Sequence, residues 1–197
     1  KALNSINEIM RTYHSPEKYF SRYLYARLNN AEISFFLGNS RNKLDELTDI
    51  YEKSFLNCKN DRFTGYLKSL LGHALAENGQ FKKGLEEVEE GIGLLDGWYE
   101  GKYKHREQGV SHIMAADILF KIRKYKASLD HLLFAEKVFN HCYITYEADI
   151  ISLLYSKIFK VAHKMGEDTL VYKYLSLQAK HFGREHHRTK IMLESLL

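Results

Sequence analysis

The sequence predicts an all-α fold. Apolar residues recur at spacings of three and four along most of the 197-residue chain, whereas the apolar-polar alternation expected of strands is nearly absent. The one proline, Pro16, follows Ser15, which is a favourable N-cap residue, and proline is tolerated in the first turn of a helix. A helix is therefore expected to begin at Pro16.

The composition indicates a folded protein that stays in water. Hydrophobic residues form 45% of the chain, which is too apolar for a disordered segment. No apolar run approaches the roughly 20 residues of a membrane span, and the first residues lack the pattern of a secretory signal. The net charge of +4 is small for a nucleic-acid-binding protein, so neither a membrane nor direct nucleic-acid binding is expected. Because the sequence begins without methionine, we expect a fragment of a longer protein.

Positive charge is concentrated in the second half of the sequence. Residues 101 to 197 carry 16 basic and 10 acidic side chains, against 13 and 15 in residues 1 to 100. The excess gathers around Lys104 and between Lys180 and Lys190. Such clusters can steer acidic partners, but solvated helix ends carry similar charge, and we favour the second interpretation.

Residues 65 to 98 contain a pattern of small and large residues. A large-small pair precedes an apolar residue, a glycine, an aromatic residue and further small residues: Leu71, Gly72, Leu75, Gly79, Phe81, Gly84, Val88, Gly91 and Ile92. Antiparallel helices approach closely only where side chains are small, and the turn between them needs a residue that tolerates positive φ. Gly72, Gly84 and Gly91 therefore predict a close helix contact, and Gly79 predicts the turn.

This pattern resembles the tetratricopeptide repeat (TPR), and it recurs along the chain. A shift of 44 residues places Ala116 on the position of Gly72 and Ser128 on that of Gly84, and weaker units precede and follow. The resemblance implies helix pairs at about 16–57, 61–97, 105–141 and 145–182, and a C-terminal capping helix at about 184–197. It implies a right-handed α-solenoid of about four antiparallel helix pairs with flanking helices, in a single domain over residues 1–197. The spacing of 40 to 44 exceeds the 34 of the standard repeat and is similar to that of elongated repeats in bacterial regulatory and sensor proteins.

In TPR-like solenoids the first helix of each pair lines a concave groove, so the resemblance also implies where a ligand binds. The predicted binding residues are Tyr25, Glu32, Tyr66, Ser69, His73, Asp117, Lys121, Lys157 and Lys160. Their hydroxyls, aromatic rings and charges of both signs suit an extended or helical peptide. The polar members expected to be exposed in the groove are Tyr66, His73, Asp117 and Lys157. Apolar neighbours such as Phe35 and Phe120 are either groove residues or core, and the family's Lys, Asn and Arg set for chaperone C-termini is absent.

No catalytic, metal or cofactor site is predicted. Nucleotide-binding and nucleophile motifs are absent, and the glycines fall at predicted helix contacts. The histidines His181, His186 and His187 lack an established ligand spacing, and adjacent histidines on a helix point about 100° apart. The acidic run from Glu86 to Glu90 is interpreted as a solvated helix face. We therefore expect no enzyme, no metal and no cofactor.

The two cysteines are expected to be free thiols in a cytoplasmic protein. Cys58 and Cys142 follow the second helices of the first and third repeats. Because packed helices lie about 8 to 10 Å apart, the separation should exceed the roughly 7 Å limit between the Cα atoms of a disulfide. A secreted location stays open, since missing disulfides only permit the cytoplasm.

Two functions fit these features. The first is a protein- or peptide-binding scaffold that uses its concave groove. The alternative is the sensory or dimerisation domain of a transcriptional or signalling regulator whose DNA-binding part lies outside this chain. A homodimer is a third arrangement, because a C-terminal apolar stripe predicts either a cap on the fourth repeat, which we favour, or an interface. This stripe consists of Ile191, Met192, Leu193, Leu196 and Leu197.

Overall fold

The computed structural model describes residues 16–57, 61–100, 105–142 and 148–196, and their regular structure is entirely helical. The helices are α1 (Pro16–Phe36), a 3₁₀ helix (Ser40–Lys43), α2 (Leu44–Asn57), α3 (Asp61–Glu77), α4 (Phe81–Trp98), α5 (Arg106–Lys121), α6 (Tyr125–His141), α7 (Ala148–Met165), α8 (Asp168–Phe182) and α9 (His187–Glu194). Helices α1 to α8 form four consecutive pairs, which α9 follows. The predicted all-α fold is therefore confirmed.

The chain divides into two compact units, Lys1–Trp98 and Tyr99–Leu197. Helices α1 to α4 belong to the first unit, and helices α5 to α9 belong to the second. The expectation of a single domain over the whole chain stays a prediction.

In the first unit, α3 and α4 lie antiparallel and pack through glycines. A Cβ atom added at Gly72 would collide with the carbonyl oxygen of Gly84. Further along the same contact, a Cβ at Gly65 would lie 2.8 Å from the carbonyl oxygen of Gly91. The turn between the helices passes through Gly79, whose φ of +86° is one that glycine adopts without strain. The predicted close contact and turn are therefore confirmed, and the structure adds Gly65 to the contact.

Buried cations connect the other helices of this unit. Arg27 of α1 is buried, and its Nη1 donates to the Asp49 carboxylate of α2 over 2.6 Å. Lys68 of α3 is also buried; its Nζ lies 2.7 Å from Glu87 Oε2 on α4 and 5.2 Å from the ring centroid of Tyr51 on α2. Burial lowers the pKa of Lys68, but its hydrogen bonds to α4 carboxylates outweigh that effect and raise the pKa above its ordinary value. The ammonium group therefore stays charged inside the unit.

In the second unit, the pair of α5 and α6 repeats the small-residue contact with other residue types. Ala116 and Ser128 stand where Gly72 and Gly84 stand in the first unit, and Ser128 Oγ donates to the Ala116 carbonyl oxygen over 2.8 Å. The turn passes through Arg123, whose φ of +62° lies in the left-handed region, as in the first unit. The 44-residue register of the repeat therefore holds in the structure.

Polar side chains position the last helix pair. Tyr174 Oη of α8 donates to the Glu136 carboxylate of α6 over 2.7 Å. Gln178 Nε2, one turn further along α8, donates to Ser152 Oγ on α7 over 2.7 Å. Because both contacts are largely buried, they fix α8 against its two neighbours.

The C-terminal helix α9 packs against α7 and α8, and it buries Thr189 and Met192. The other described members of the apolar stripe are partly exposed: Ile191, Leu193 and Leu196. Leu197 lies outside the described residues. The stripe thus supplies a contact with the fourth pair through Met192 and leaves an apolar edge in water.

Candidate functional site

Two predicted groove residues of the first unit are buried, so the expectation that they are exposed is wrong. Tyr66 is 4% exposed and His73 is 5% exposed. His73 packs edge-on against Phe35 of α1, with ring centroids 4.7 Å apart, and its Nε2 lies 3.5 Å from Glu77 Oε1. The reason is that every residue of α3 from 65 to 76 is buried, so this helix is core on all sides.

The other predicted residues of this unit are also mostly inaccessible. Ser69 is fully buried; its Oγ donates to the backbone of its own helix over 3.0 Å and lies against Gly91, so its expected place on the groove surface is wrong. Glu32 is 8% exposed. Tyr25 is 41% exposed, and its ring packs edge-on against Phe63 with centroids 5.2 Å apart. Of the five predicted positions in the described part of this unit, Tyr25 alone is substantially accessible.

The second unit brings predicted residues of α5 and α7 together. Lys157 Nζ lies 2.5 Å from Asp117 Oδ1, and both side chains are about a fifth exposed, at 23% and 21%. Lys160 Nζ lies 4.8 Å from the centroid of the Phe120 ring. Each contact joins residues 40 positions apart, which is the spacing between the third and fourth repeats. Equivalent positions on consecutive first helices therefore touch, while Lys121 at the end of α5 is exposed.

A groove of about 620 Å³ lies between α7 and α9; we name it the α7–α9 groove. Its apolar surface comes from Leu153 and Phe159 on α7 and from Ile191 and Met192 on α9. The remaining lining residues are polar or basic: Ser156, Lys157, Lys160, His163, Lys164, His187, Arg188 and Ser195. None of these lining side chains, all from described residues, is a carboxylate. The groove therefore combines an apolar surface with positive charge.

Two cations of the α7–α9 groove already contact other groups of the chain. Lys157 is paired with Asp117. Arg188 Nη1 donates to the Asp149 carbonyl oxygen and to Ser152 Oγ, each over 3.4 Å. Burial lowers the pKa of Arg188, although the nearby Asp149 carboxylate opposes that effect. Lys157 is thus largely neutralised, whereas Arg188 is held mainly by neutral oxygens.

Two further cations, Lys160 and Lys164, are exposed on α7. In the part of the chain that the structure describes, neither forms an ion pair. They stand four positions apart and hence on one side of the helix. Positive charge near the groove also affects His186, whose pKa is lowered by burial and then by the charges of His187 and Arg188. The ammonium groups of Lys160 and Lys164 are therefore accessible to an anionic ligand.

The binding residues predicted from the sequence include one side of this groove, Lys157 and Lys160 on α7, and omit the α9 side. The available signal was a spacing of three or four and then seven positions, shared by Lys157, Lys160 and Lys164 on α7 and by Arg188 and Met192 on α9 with Ser195 directly after it. The basic cluster between Lys180 and Lys190 was assigned to solvated helix ends, because the pattern of one helix does not reveal which helix lies beside it. The contact between α7 and α9 is a tertiary interaction, which depends on the whole fold.

The remaining predicted features concern metals, thiols and membranes. No group of three or more His, Cys, Asp or Glu side chains among the described residues is arranged to hold a metal ion. Cys142 carries a thiol whose pKa is raised by burial and by the charge of Glu107, and Cys58 lies outside the described residues. None of the described helices is both long and apolar enough to cross a membrane.

The arrangement of helix pairs occurs in solved structures. A variant of a kinesin light chain-like protein from Podosopora anserina, with nearly identical TPR-like repeats, has a TM-score of 0.69 at 14% identity, covering 91% of this chain and 85% of that chain. PlcR from Bacillus thuringiensis, in complex with a peptide and DNA, has a TM-score of 0.67 at 17% identity, covering 100% of this chain and 67% of that chain. The chain has a TPR-like fold. No protein-family model and no curated protein matches the sequence.

The TPR-like fold accounts for the place of the groove within the second unit. In this fold the first helices of consecutive repeats are neighbours. Helix α7 is the first helix of the fourth pair, and α9 follows that pair and packs on both of its helices. Helix α9 therefore takes the position next to α7 that the first helix of a further TPR-like repeat would take.

Proposed function

We propose that this chain is a TPR-like module that binds a peptide or a segment of another protein in the α7–α9 groove and has no catalytic activity of its own. The observation that carries the proposal is the open groove of about 620 Å³ between two helices, with an apolar surface beside the exposed cations Lys160 and Lys164. Binding sites are typically concave, mostly apolar and about 300–1,000 Å³ in volume, with a few polar groups that orient the ligand.

Burial of apolar surface would supply the main attraction. Ile191 is 60% exposed, although it lines the groove. Covering an isoleucine side chain completely stabilises a complex by roughly 1.5–3 kcal/mol, so a ligand that covers Ile191 gains part of that amount. Of the predicted binding residues, we retain Lys157 and Lys160 in this groove and Asp117 beside it.

The comparison with PlcR supports a peptide as the ligand. PlcR has a TPR-like structure similar to this chain and was solved with a peptide. Because the identity is 17%, this likeness concerns the fold, and the ligand of this chain is argued from its own groove. The cytoplasmic location expected from the two cysteines of the sequence is part of the same proposal.

The test is to select peptides on the whole chain and on a variant with a filled groove. Ser156→Trp places a large side chain among the lining residues of α7, and Ser176→Trp makes the same change at an exposed position of α8 outside the groove. A random heptapeptide library is panned against the parent and both variants. We expect peptides that bind the parent and Ser176→Trp but not Ser156→Trp.

A second blocking variant protects this test against a folding defect. Ser195→Trp approaches the groove from the α9 side, where Ser195 is exposed. Circular dichroism verifies that each variant keeps its helical content. Peptides that bind every folded variant equally would disprove the groove assignment, and so would a parent that enriches no peptide.

A second candidate function is favoured by the extent of the PlcR match, which covers 100% of this chain and 67% of PlcR. In this candidate, the chain is the sensory or dimerisation part of a regulator whose DNA-binding domain lies outside this sequence. Sequencing the gene on both sides of the region tests it, because it requires a helix-turn-helix segment in the flanking sequence. Sedimentation equilibrium tests the homodimer, for which the exposed Ile191, Leu193 and Leu196 provide an apolar edge.

A further inference from the structure

We infer that the α7–α9 groove selects peptides in which an acidic side chain lies close to an apolar one. This inference rests on the proposed function and adds the chemistry of the ligand. It gives a binding role to part of the basic C-terminal cluster, which the sequence predicts to be solvated.

The charges of the groove are of one sign. Lys160, Lys164 and Arg188 line it, no carboxylate lines it, and Asp117 offsets Lys157 alone. A carboxylate that approaches Lys160 or Lys164 forms a charge-assisted hydrogen bond, the strongest kind available to an exposed ammonium group. A basic peptide would instead bring like charges together, which disfavours it by several-fold in affinity.

The apolar surface of the groove lies among the same residues. Ile191 is mostly exposed and Leu153 is partly exposed, and both line the cavity that Lys160 and Lys164 line. A ligand that fills the cavity therefore contacts both kinds of group. An acidic residue with an apolar neighbour satisfies both, whereas a purely acidic peptide leaves the apolar surface wet.

The same surface favours a peptide over a nucleic acid. Nucleic-acid-binding clefts usually present aromatic rings on which bases stack. The phenylalanine that lines this groove, Phe159, is 3% exposed, and the ring of Phe120 lies beneath the Lys160 ammonium group. The positive charge is thus set beside aliphatic side chains and the exposed imidazole rings of His163 and His187, and not beside an accessible Phe, Tyr or Trp ring.

The experiment compares the composition of selected peptides between charge variants of the whole chain. Lys160→Gln with Lys164→Gln removes two charges from the groove, and Lys173→Gln with Lys180→Gln removes two from exposed positions of α8. Heptapeptides from the random library are selected on the parent and on both double variants. We expect Asp and Glu next to apolar residues to be enriched on the parent and on the α8 variant, and not on the groove variant.

The strongest parent-selected peptide and its Asn and Gln counterpart are then titrated by calorimetry. We expect the acidic form to bind about tenfold more tightly, and this difference to shrink at 1 M salt, where screening extends over only about 3 Å. Peptides that depend on the groove but show no acidic preference would overturn this inference and leave the proposed function intact. Failure to enrich any groove-dependent peptide would overturn the proposed function itself. Tighter binding of a 20-nucleotide DNA that depends on Lys160 and Lys164 would also overturn this inference.

Discussion

Gly72 and Gly84 allow α3 and α4 to touch through their backbones, and that contact leaves no room for a methyl group. We predict that Gly72→Ala lowers the free energy of unfolding by about 1–3 kcal/mol, because the new Cβ collides with the Gly84 carbonyl oxygen. Gly93→Ala on α4 is the matched control, since a Cβ there meets nothing within 4 Å. It should raise stability by up to about 1 kcal/mol through helix propensity. Urea denaturation measures both, and equal effects would contradict the role of Gly72.

His112 makes the stability of the second unit depend on pH. It is 7% exposed, its Nδ1 lies 2.9 Å from His131 Nδ1, and its ring stacks on Phe134. Burial, with a smaller effect from His131, lowers the pKa of His112 to about 3. The usual pKa of histidine is about 6.5, so between these values the unfolded chain binds a proton that the folded chain does not. Folding is therefore weakened as the pH falls below about 6.5.

We predict that the free energy of unfolding decreases by roughly 1–2 kcal/mol more in the parent than in His112→Phe between pH 6.5 and 4.5. Phenylalanine keeps a ring beside Phe134 but does not titrate. His141→Gln, at an exposed position, serves as the control and should retain the parent's pH dependence. Urea titrations at several pH values supply the comparison, and the same slope in parent and His112→Phe would refute the assignment.

Between elements, the pair of Asp117 on α5 and Lys157 on α7 sets how much positive charge the α7–α9 groove presents. We predict that Asp117→Asn strengthens binding of an acidic groove peptide by about two- to fivefold, because Lys157 then keeps its charge for the ligand. Asp130→Asn removes an exposed carboxylate from α6, which lies outside the groove, and should leave the affinity unchanged. Calorimetric titration measures both variants, and weaker binding by Asp117→Asn would contradict the prediction.

For individual helices, the sequence predicted which segments are helical better than it predicted which side chains are buried. The helical period is a local property, and so the helices of the four pairs were found from spacing and from the turn at Gly79. Burial is not local: Tyr66, Ser69 and His73 have the register of groove residues, yet α3 is covered on all sides. On α7, residues of the same register, Lys157 and Lys160, line the α7–α9 groove, because one side of that helix is left open.

For the whole molecule, the division into two compact units assigns the groove entirely to the second one. We predict that residues 99–197, expressed alone, form a helical protein that binds groove peptides with the affinity of the whole chain. All lining residues and the Asp117 partner lie in that segment. Circular dichroism and peptide titration test this, and an unfolded fragment would show instead that the second unit depends on the first.

The TPR-like fold was predictable from the sequence because repetition makes one signal appear several times. The sequence also predicted a C-terminal helix that caps the fourth repeat, but not the groove that this helix leaves beside α7, since α9 is a short helix without a second helix to complete its repeat pattern. Its place follows from Thr189 and Met192, whose burial against the fourth pair depends on the finished fold. The α7–α9 groove therefore lies beside the helix at which the TPR-like repeat pattern of the sequence ends.

The contacts between positions 40 residues apart also bear on how such a chain changes over generations. Asp117 touches Lys157, and Phe120 touches Lys160. A substitution in one repeat thus alters the contacts of the corresponding residue in the next. We expect the two positions of each pair to covary among homologues. Homologues that replace the acidic residue at 117 should also replace the lysine at 157. Repeats that touch in this way are expected to accumulate compensating substitutions. One repeat can then no longer replace the other.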